Sequence, residues 1–255
     1  MKPGRPGEGS VTAPAINISG LRLRFDSGKT LFDSLDLAIE AGLTTCILGP
    51  SGCGKSTLLR LISGSADFTV QGSISFLPES SNKVAWMGQD DLLLPWMSLI
   101  DNVMLGARLR GEITDTVRRK AQKLIARARL AGHEDDLPGA LSGGMRQRCA
   151  LLRTLMEDRP ALLMDEPFSA LDALTRVKLQ NLSAEMTRGT TTLLVTHDVM
   201  EALRLAHRIV ILGGTPVRMI TSLQLTSPPP RQPDNPETSE HYGPLLQLLL
   251  QEDQR

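Results

Sequence analysis

The sequence predicts an α/β fold built around a mostly parallel sheet. Three observations predict it. Four short apolar runs, at 44–49, 161–165, 191–196 and 208–212, have the length of buried strands. Helix-period stretches separate the later runs, the alternation that produces parallel strands joined by helices. The first run, TTCILG at 44–49, passes through a glycine loop into STLLRLIS at 56–63, whose apolar residues at 58, 59, 61 and 62 fit a helix.

The remaining elements follow in chain order. Residues 16–25 (INISGLRLRF) alternate apolar and polar, as a half-buried strand does. Residues 31–39 (LFDSLDLAI) do the same, before a turn at Ala41-Gly42. Asp115 to Leu130 places Val117, Ala121, Leu124, Ile125 and Ala128 on one face, the stripe of an amphipathic helix. Its other face is basic (Arg118, Arg119, Lys120, Lys123, Arg127 and Arg129), which suits either a phosphate grip or a solvated surface; zero net charge favours the solvated one. Met145 to Met156 reads as another helix, and Pro160 bars its continuation. Residues 227–240 (SPPPRQPDNPETSE) are proline-rich and polar, which predicts a linker or mobile stretch. PLLQLLLQ at 244–251 fits a short terminal helix.

Composition narrows the function classes. A chain of 255 residues is long enough to bury a sizeable core, and 41% apolar with 22% charged residues is ordinary for a globular protein. The formal net charge of zero exerts no general pull toward nucleic acid or anionic lipid. Aromatics at 3% are too scarce for a surface that stacks bases in series. No apolar run approaches the roughly 18 residues of a membrane span. Residues 1–15, Gly/Pro-rich and without a signal peptide's apolar stretch, read as a flexible segment. Cys46, Cys53 and Cys149 are an odd number with no Cys-x-x-Cys pair, which argues against a disulfide framework or zinc site and for a reducing cytoplasm. Any membrane role would come through a partner.

The chemistry is concentrated in three motifs. Gly49-Pro50-Ser51-Gly52-Cys53-Gly54-Lys55-Ser56-Thr57 matches the phosphate-binding pattern G-x-x-x-x-G-K-S/T. Glycines let successive N–H groups converge on phosphate oxygens, and the helix that starts at Lys55 adds its positive end. Lys55 would reach the β- and γ-phosphates and the Ser56 hydroxyl a magnesium site. ALLMDEP at 161–167 delivers Asp165 to the carboxyl end of a buried strand, where α/β proteins bind ligands. Asp165 suits magnesium, and Glu166 would polarise the water that attacks the γ-phosphate. Alone, such paired carboxylates equally suit a helix cap; beside the phosphate loop they suit catalysis.

Leu141-Ser142-Gly143-Gly144-Met145-Arg146-Gln147 is the third motif. By itself Ser-Gly-Gly is a weak signal, yet here it resembles the signature motif of ABC ATPases. The resemblance spans residues 16–225 with the expected motifs in order. It implies a RecA-like P-loop NTPase core at about 16–88 and 159–225, with an N-terminal antiparallel β subdomain and a helical insert at about 89–158. Residues 226–255 then form the linker and short helix. The resemblance also implies that Ser142, Gly143, Gly144 and Met145, with Asp172 of Ser169-Ala170-Leu171-Asp172, serve the ATP bound by a second copy in a head-to-tail homodimer. Gln89 matches a glutamine that senses the γ-phosphate and shares the magnesium site with Ser56 and Asp165. His197 matches a switch histidine at that phosphate. Phe25 stands where the family stacks an aromatic on adenine, although a Phe on an alternating strand equally suits a core.

Two positions depart from the family pattern: Met145 replaces a commoner Gln or Glu, and His207 a common Asp. Neither supplies a phosphate ligand in this reading.

The run QDDLLLPWMSLIDNVMLG, starting at Gln89, is similar to nitrate, sulfonate and taurine importer ATPases and their pyrimidine- or thiamine-precursor relatives. That implies an ATP- and Mg2+-dependent ATPase, peripheral on the cytoplasmic face of the inner membrane. Its partners would be integral permease subunits and, indirectly, a solute-binding protein, with no nucleic acid. The Leu92–Trp96 segment would either dock the permease or pack inside the insert. Alternatives are an exporter ATPase, or an ABC ATPase acting on DNA or ribosomes. The latter typically carry two ATPase halves, zinc modules or long coiled coils, none of which this sequence shows.

Overall fold

The computed structural model describes residues 12–65, 68–79 and 84–254. The N-terminal segment expected to be flexible lies, up to residue 11, outside the described residues.

Two sheets form the scaffold. Strands β1 (Ala15–Arg24), β2 (Thr30–Ile39) and β4 (Val70–Leu77) make an antiparallel sheet in the order β2-β1-β4. The larger sheet has the order β5-β6-β7-β3-β8-β9, with β3 (Thr44–Leu48), β5 (Val84–Met87), β6 (Ala161–Asp165), β7 (Thr191–Val195) and β8 (Arg208–Gly213) parallel. Only β9 (Arg218–Gln224) runs antiparallel, on the edge. The expected mostly parallel core sheet and the N-terminal antiparallel sheet are both present.

The continuous apolar runs explain why the large sheet sits in the middle. Successive residues point to opposite faces, so each run serves two cores. Cys46, Leu48, Leu162, Met164, Leu194, Ile209 and Ile211 join the core on the helical side. Ile47, Leu163, Leu193, Val195, Val210 and Leu212 join the core shared with the antiparallel sheet and with α1 (Lys55–Ser63). The helical side is built from α2 (Leu99–Val103), α3 (Leu105–Leu109), α4 (Asp115–Arg127) and α5 (Gly143–Met156). Thr114 caps α4, accepting the Val117 N–H at 3.2 Å. Ala121, Leu124 and Ile125 are buried, and the basic residues of α4 are all exposed.

Three strands escaped the pattern reading, among them β5, which at four residues is too short for a period to show. The residues of β4 and β9 are mostly exposed or half-buried, so neither carries the alternation of a strand with one buried face. In β1 the alternation changes phase, because a bulge at Ser19-Gly20 shifts the register between Ile18 and Leu21.

The C-terminal expectation needs correction. Residues 227–240 are not a free linker: Arg231 is 2% exposed and Thr238 1%. Helix α8 runs from Pro236 to Asp253 and passes through Pro244, where the sequence reading had it begin. Asn235 caps it, and Pro236 falls in its first turn, where the missing N–H costs nothing. Helix α6 (Ala173–Met186) and helix α7 (Val199–Leu205) complete the structure. Among the described residues no helix is long and apolar enough to cross a membrane.

Candidate active site

The site lies at the carboxyl ends of β3, β6 and β7. Between β3 and α1 the loop 49–54 turns on two glycines with different reasons. A Cβ on Gly49 would stand 2.5 Å from the Leu212 carbonyl, so strand β8 leaves no room for a side chain. Gly54 caps α1 in the left-handed region, at φ 87°. Lys55 is buried, and its Nζ donates to the Gly49 and Pro50 carbonyls, each at 2.8 Å.

Ser51, Gly52, Gly54, Lys55, Ser56 and Thr57 line a cavity of about 300 Å3 together with Phe25, Gln89 and Glu166. Four segments far apart in the chain, at Phe25, the Lys55 loop, Gln89 and Glu166, thus meet in one place. Phe25 lies one residue beyond β1, in a turn in which its N–H bonds the Lys29 carbonyl at 2.9 Å. It is half-buried, with its ring edge-on to Phe68 at 5.8 Å, and it both lines the cavity and packs against the core shared with the antiparallel sheet.

Asp165 ends β6 and is 4% exposed. Burial pushes its carboxyl pKa up, and a hydrogen bond from the Ser56 side chain pulls it back down. Together the two groups offer only hard oxygen donors, the set that a magnesium ion takes beside phosphates, so they fit one.

Glu166 carries backbone strain. Its φ is 49°, in a region that costs a non-glycine residue about 1–3 kcal/mol and persists only when its surroundings impose it. Here they do. Its N–H bonds the Val195 carbonyl at 2.9 Å, and its own carbonyl accepts from Gln147 Nε2 at 3.1 Å and from Ser169 Oγ at 3.0 Å. The carboxylate so aimed accepts from Nδ1 of His197 at 3.0 Å, and His197 follows β7 with its side chain largely exposed. That leaves Nε2 directed away from Glu166.

The second group of expected residues stands elsewhere. Ser142 to Met145 and Asp172 are not among the residues that line the Lys55 cavity. They form a patch of their own: a Cβ on Gly144 would lie 3.3 Å from the Ala170 carbonyl, so the start of α5 abuts the 169–172 loop. Ser142 caps α5, accepting the Met145 N–H at 3.3 Å, and Asp172 caps α6, accepting from Thr175 at 3.0 Å. Both caps are exposed on the surface.

Several contributors were missed by the sequence reading. Arg146 bonds the Asp91 carboxylate at 2.9 Å, while Arg153 donates to the Asp91 and Leu92 carbonyls, both at 2.7 Å. These two arginines of α5 clasp the segment two residues beyond Gln89, so that segment is tied to the signature helix. Their i, i+7 spacing on one helix face was the available signal. Below the clasp, buried Asn102 ties the backbone of 94–98 through Leu94 and Met97, which holds Trp96 outward at 72% exposure.

Glu201, on α7 behind His197, was also missed. It is 4% exposed, beside Asp198, Thr196, Gln180 and Arg176, and its pKa is pushed up to about 8, first by burial and then by Asp198, against a hydrogen bond from Thr196. The folded state therefore holds a proton that the unfolded chain releases near 4.5. Stability is expected to fall as pH rises from 4.5 to about 8, by up to ~1.4 kcal/mol per pH unit. Glu201→Gln should flatten that slope, as measured by urea unfolding across the range; an unchanged slope would refute this assignment.

The chain is similar to known proteins. The family model described as ABC transporter matches residues 32–169. An uncharacterized ABC transporter ATP-binding protein of Haemophilus influenzae is 42% identical over 238 residues, covering 93% of this chain and 98% of its own. Aliphatic sulfonates import ATP-binding proteins of Rhizobium johnstonii and Rhodococcus jostii are 41% and 42% identical, covering 96% and 94% of this chain and 94% and 97% of their own. Among solved structures, a dimeric post-hydrolysis state of an ATP-binding cassette, bound to ADP and Pi, matches at a TM-score of 0.73 and 27% identity, over 83% of this chain and 99% of that one.

Proposed function

The chain belongs to the ABC transporter family as an ATP-hydrolysing, ATP-binding subunit, and from that premise we propose that it powers a bacterial importer of small solutes of the aliphatic sulfonate class. The observation that carries the catalytic part is the shared cavity. It joins the Lys55 loop, Gln89 and Glu166, and Glu166 is held by His197. The solute class is supported by the names of relatives about 40% identical over nearly the whole chain.

In this reading the loop from Gly49 to Thr57 binds the ATP phosphates and Phe25 flanks the adenine. Ser56, Asp165 and Gln89 would hold Mg2+, which would supply neutralisation of phosphate charge. Glu166 takes a proton from the attacking water, and His197, turned by its Nδ1 bond to Glu166, faces the γ-phosphate through Nε2. Ser142, Gly143, Gly144, Met145 and Asp172 complete the site of a second copy, so that ATP closes the dimer and hydrolysis reopens it. Dimeric relatives of the same fold support that arrangement.

The outward Leu92 and Trp96, 56% and 72% exposed, fit a docking surface for an integral membrane permease better than packing inside the insert. The arginine clasp would carry the state of the ATP site to that surface. The subunit would then sit on the cytoplasmic face of the inner membrane, held by the permease. Vesicles bearing the chain on its permease, with ATP on the side of the chain and a labelled aliphatic sulfonate plus its binding protein on the other, should accumulate label. ATP-driven expulsion of the label, or no movement of it, would overturn the importer reading.

A further inference from the structure

The tail after Leu225 is anchored at both ends. At its start, Arg231 donates to the Leu203 and Ala206 carbonyls at the end of α7, at 3.0 and 2.6 Å. Arg204 answers with a bond to the Arg231 carbonyl at 2.6 Å. At its far end, the last turn of α8 places Glu252, 5% exposed, over the backbone of Gly213. A Cβ on Gly213 would stand 2.5 Å from Glu252 Oε2 and 3.0 Å from its Cγ. Gly213 has no left-handed φ, so the contact uses the missing side chain and not the flexibility of glycine.

One residue upstream, the Leu212 carbonyl is the atom against which Gly49 packs. Glu252 thus covers the end of β8, the strand against which the first residue of the phosphate loop packs. A second observation points the same way. Pro50 to Cys53, Gly213 and the pair Glu252 and Asp253 line one cavity of about 210 Å3.

We propose that Glu252 is a positioning residue for the phosphate loop and that α8 is a strap that holds the end of β8 beneath Gly49. The inference rests on the reading of 49–57 as the ATP-phosphate loop. A loop that works through converging backbone N–H groups depends on what fixes its backbone from behind. With the carboxylate gone, the end of β8 relaxes and the donors lose convergence. Glu166 and His197 lie after β6 and β7, away from this contact, so ATP binding should suffer while the chemical step does not.

The test uses the full chain, with ATPase kinetics, binding of a fluorescent ATP analogue and thermal melts. Since a displacement of about 1 Å in a positioning element can cost up to ~10²-fold, Glu252→Ala is expected to raise the KM for ATP roughly five- to tenfold, with kcat changed less than about twofold. Glu252→Gln, of the same shape, should restore the KM. Gly213→Ala alone should mimic Glu252→Ala, because its methyl displaces the carboxylate, and should add nothing to it in the double variant. Wild-type KM in both single variants, additive effects in the double variant, or a Glu252→Gln as impaired as Glu252→Ala would each overturn the strap. If Glu252→Ala folds poorly, Gly213→Ala and Glu252→Gln still decide. Lys55→Ala separates the two levels: unimpaired ATP binding there sinks the loop reading itself, whereas lost binding there with a neutral Glu252→Ala sinks only the strap.

Discussion

Glu166→Gln is expected to bind ATP as the wild type does and to lose turnover by about 10²–10⁴-fold, the usual worth of a positioned general base. The expectation rests on geometry. Strained at φ 49° and held by Val195, Gln147 and Ser169, Glu166 has one direction in which to aim its carboxylate. The amide keeps that shape and cannot take a proton. It would also face His197 with a group that accepts through oxygen only, so the Nδ1 bond at 3.0 Å survives in one orientation. Single-turnover phosphate release, beside equilibrium ATP binding, measures the effect. Hydrolysis within tenfold of the wild type would remove Glu166 as the base.

Ser142→Arg should be nearly as damaging for a different reason. Ser142 is exposed, caps α5, and is not among the residues that line the Lys55 cavity of its own chain. A site confined to one copy would therefore not notice the change. If the serine serves a second copy's γ-phosphate, a long side chain at the helix start prevents closure, and turnover should fall by ~10²-fold or more, the cost of lost positioning. ATP binding to the separate chain should hold. Losing the cap costs about 1 kcal/mol in stability, and Ser142→Ala, which shares that loss without the bulk, provides the control. Full activity in a strictly monomeric preparation, or in Ser142→Arg, would dismantle the shared site.

Much of this was legible beforehand because the signals are local. The glycine spacing of 49–57, the apolar run that ends in Asp165, and Ser142 opening a helix each state a backbone conformation in a few consecutive residues. The buried strands announced themselves the same way, since a strand covered on both faces is apolar throughout. Edge strands β4 and β9 lack that signal because water covers much of their surface. The proline-rich tail misled for a related reason. Its composition is that of a linker, but its order comes from buried Arg231 and from α8 lying on the core, contacts no window of the tail contains.

The sequence by itself therefore determined six of the strands, the phosphate loop and the kinds of residue available for phosphate chemistry. The tertiary structure decided which of them meet. It set Gln89 and Glu166 around the Lys55 loop and left Ser142 and Asp172 on a separate patch. It clasped the segment after Gln89 with Arg146 and Arg153, and brought Glu252 behind Gly49 by way of Gly213. The physical reason is range. Periodicity and turn chemistry are fixed by neighbours a few residues apart, whereas contacts between residues tens or hundreds apart exist only once the sheet has ordered the chain between them.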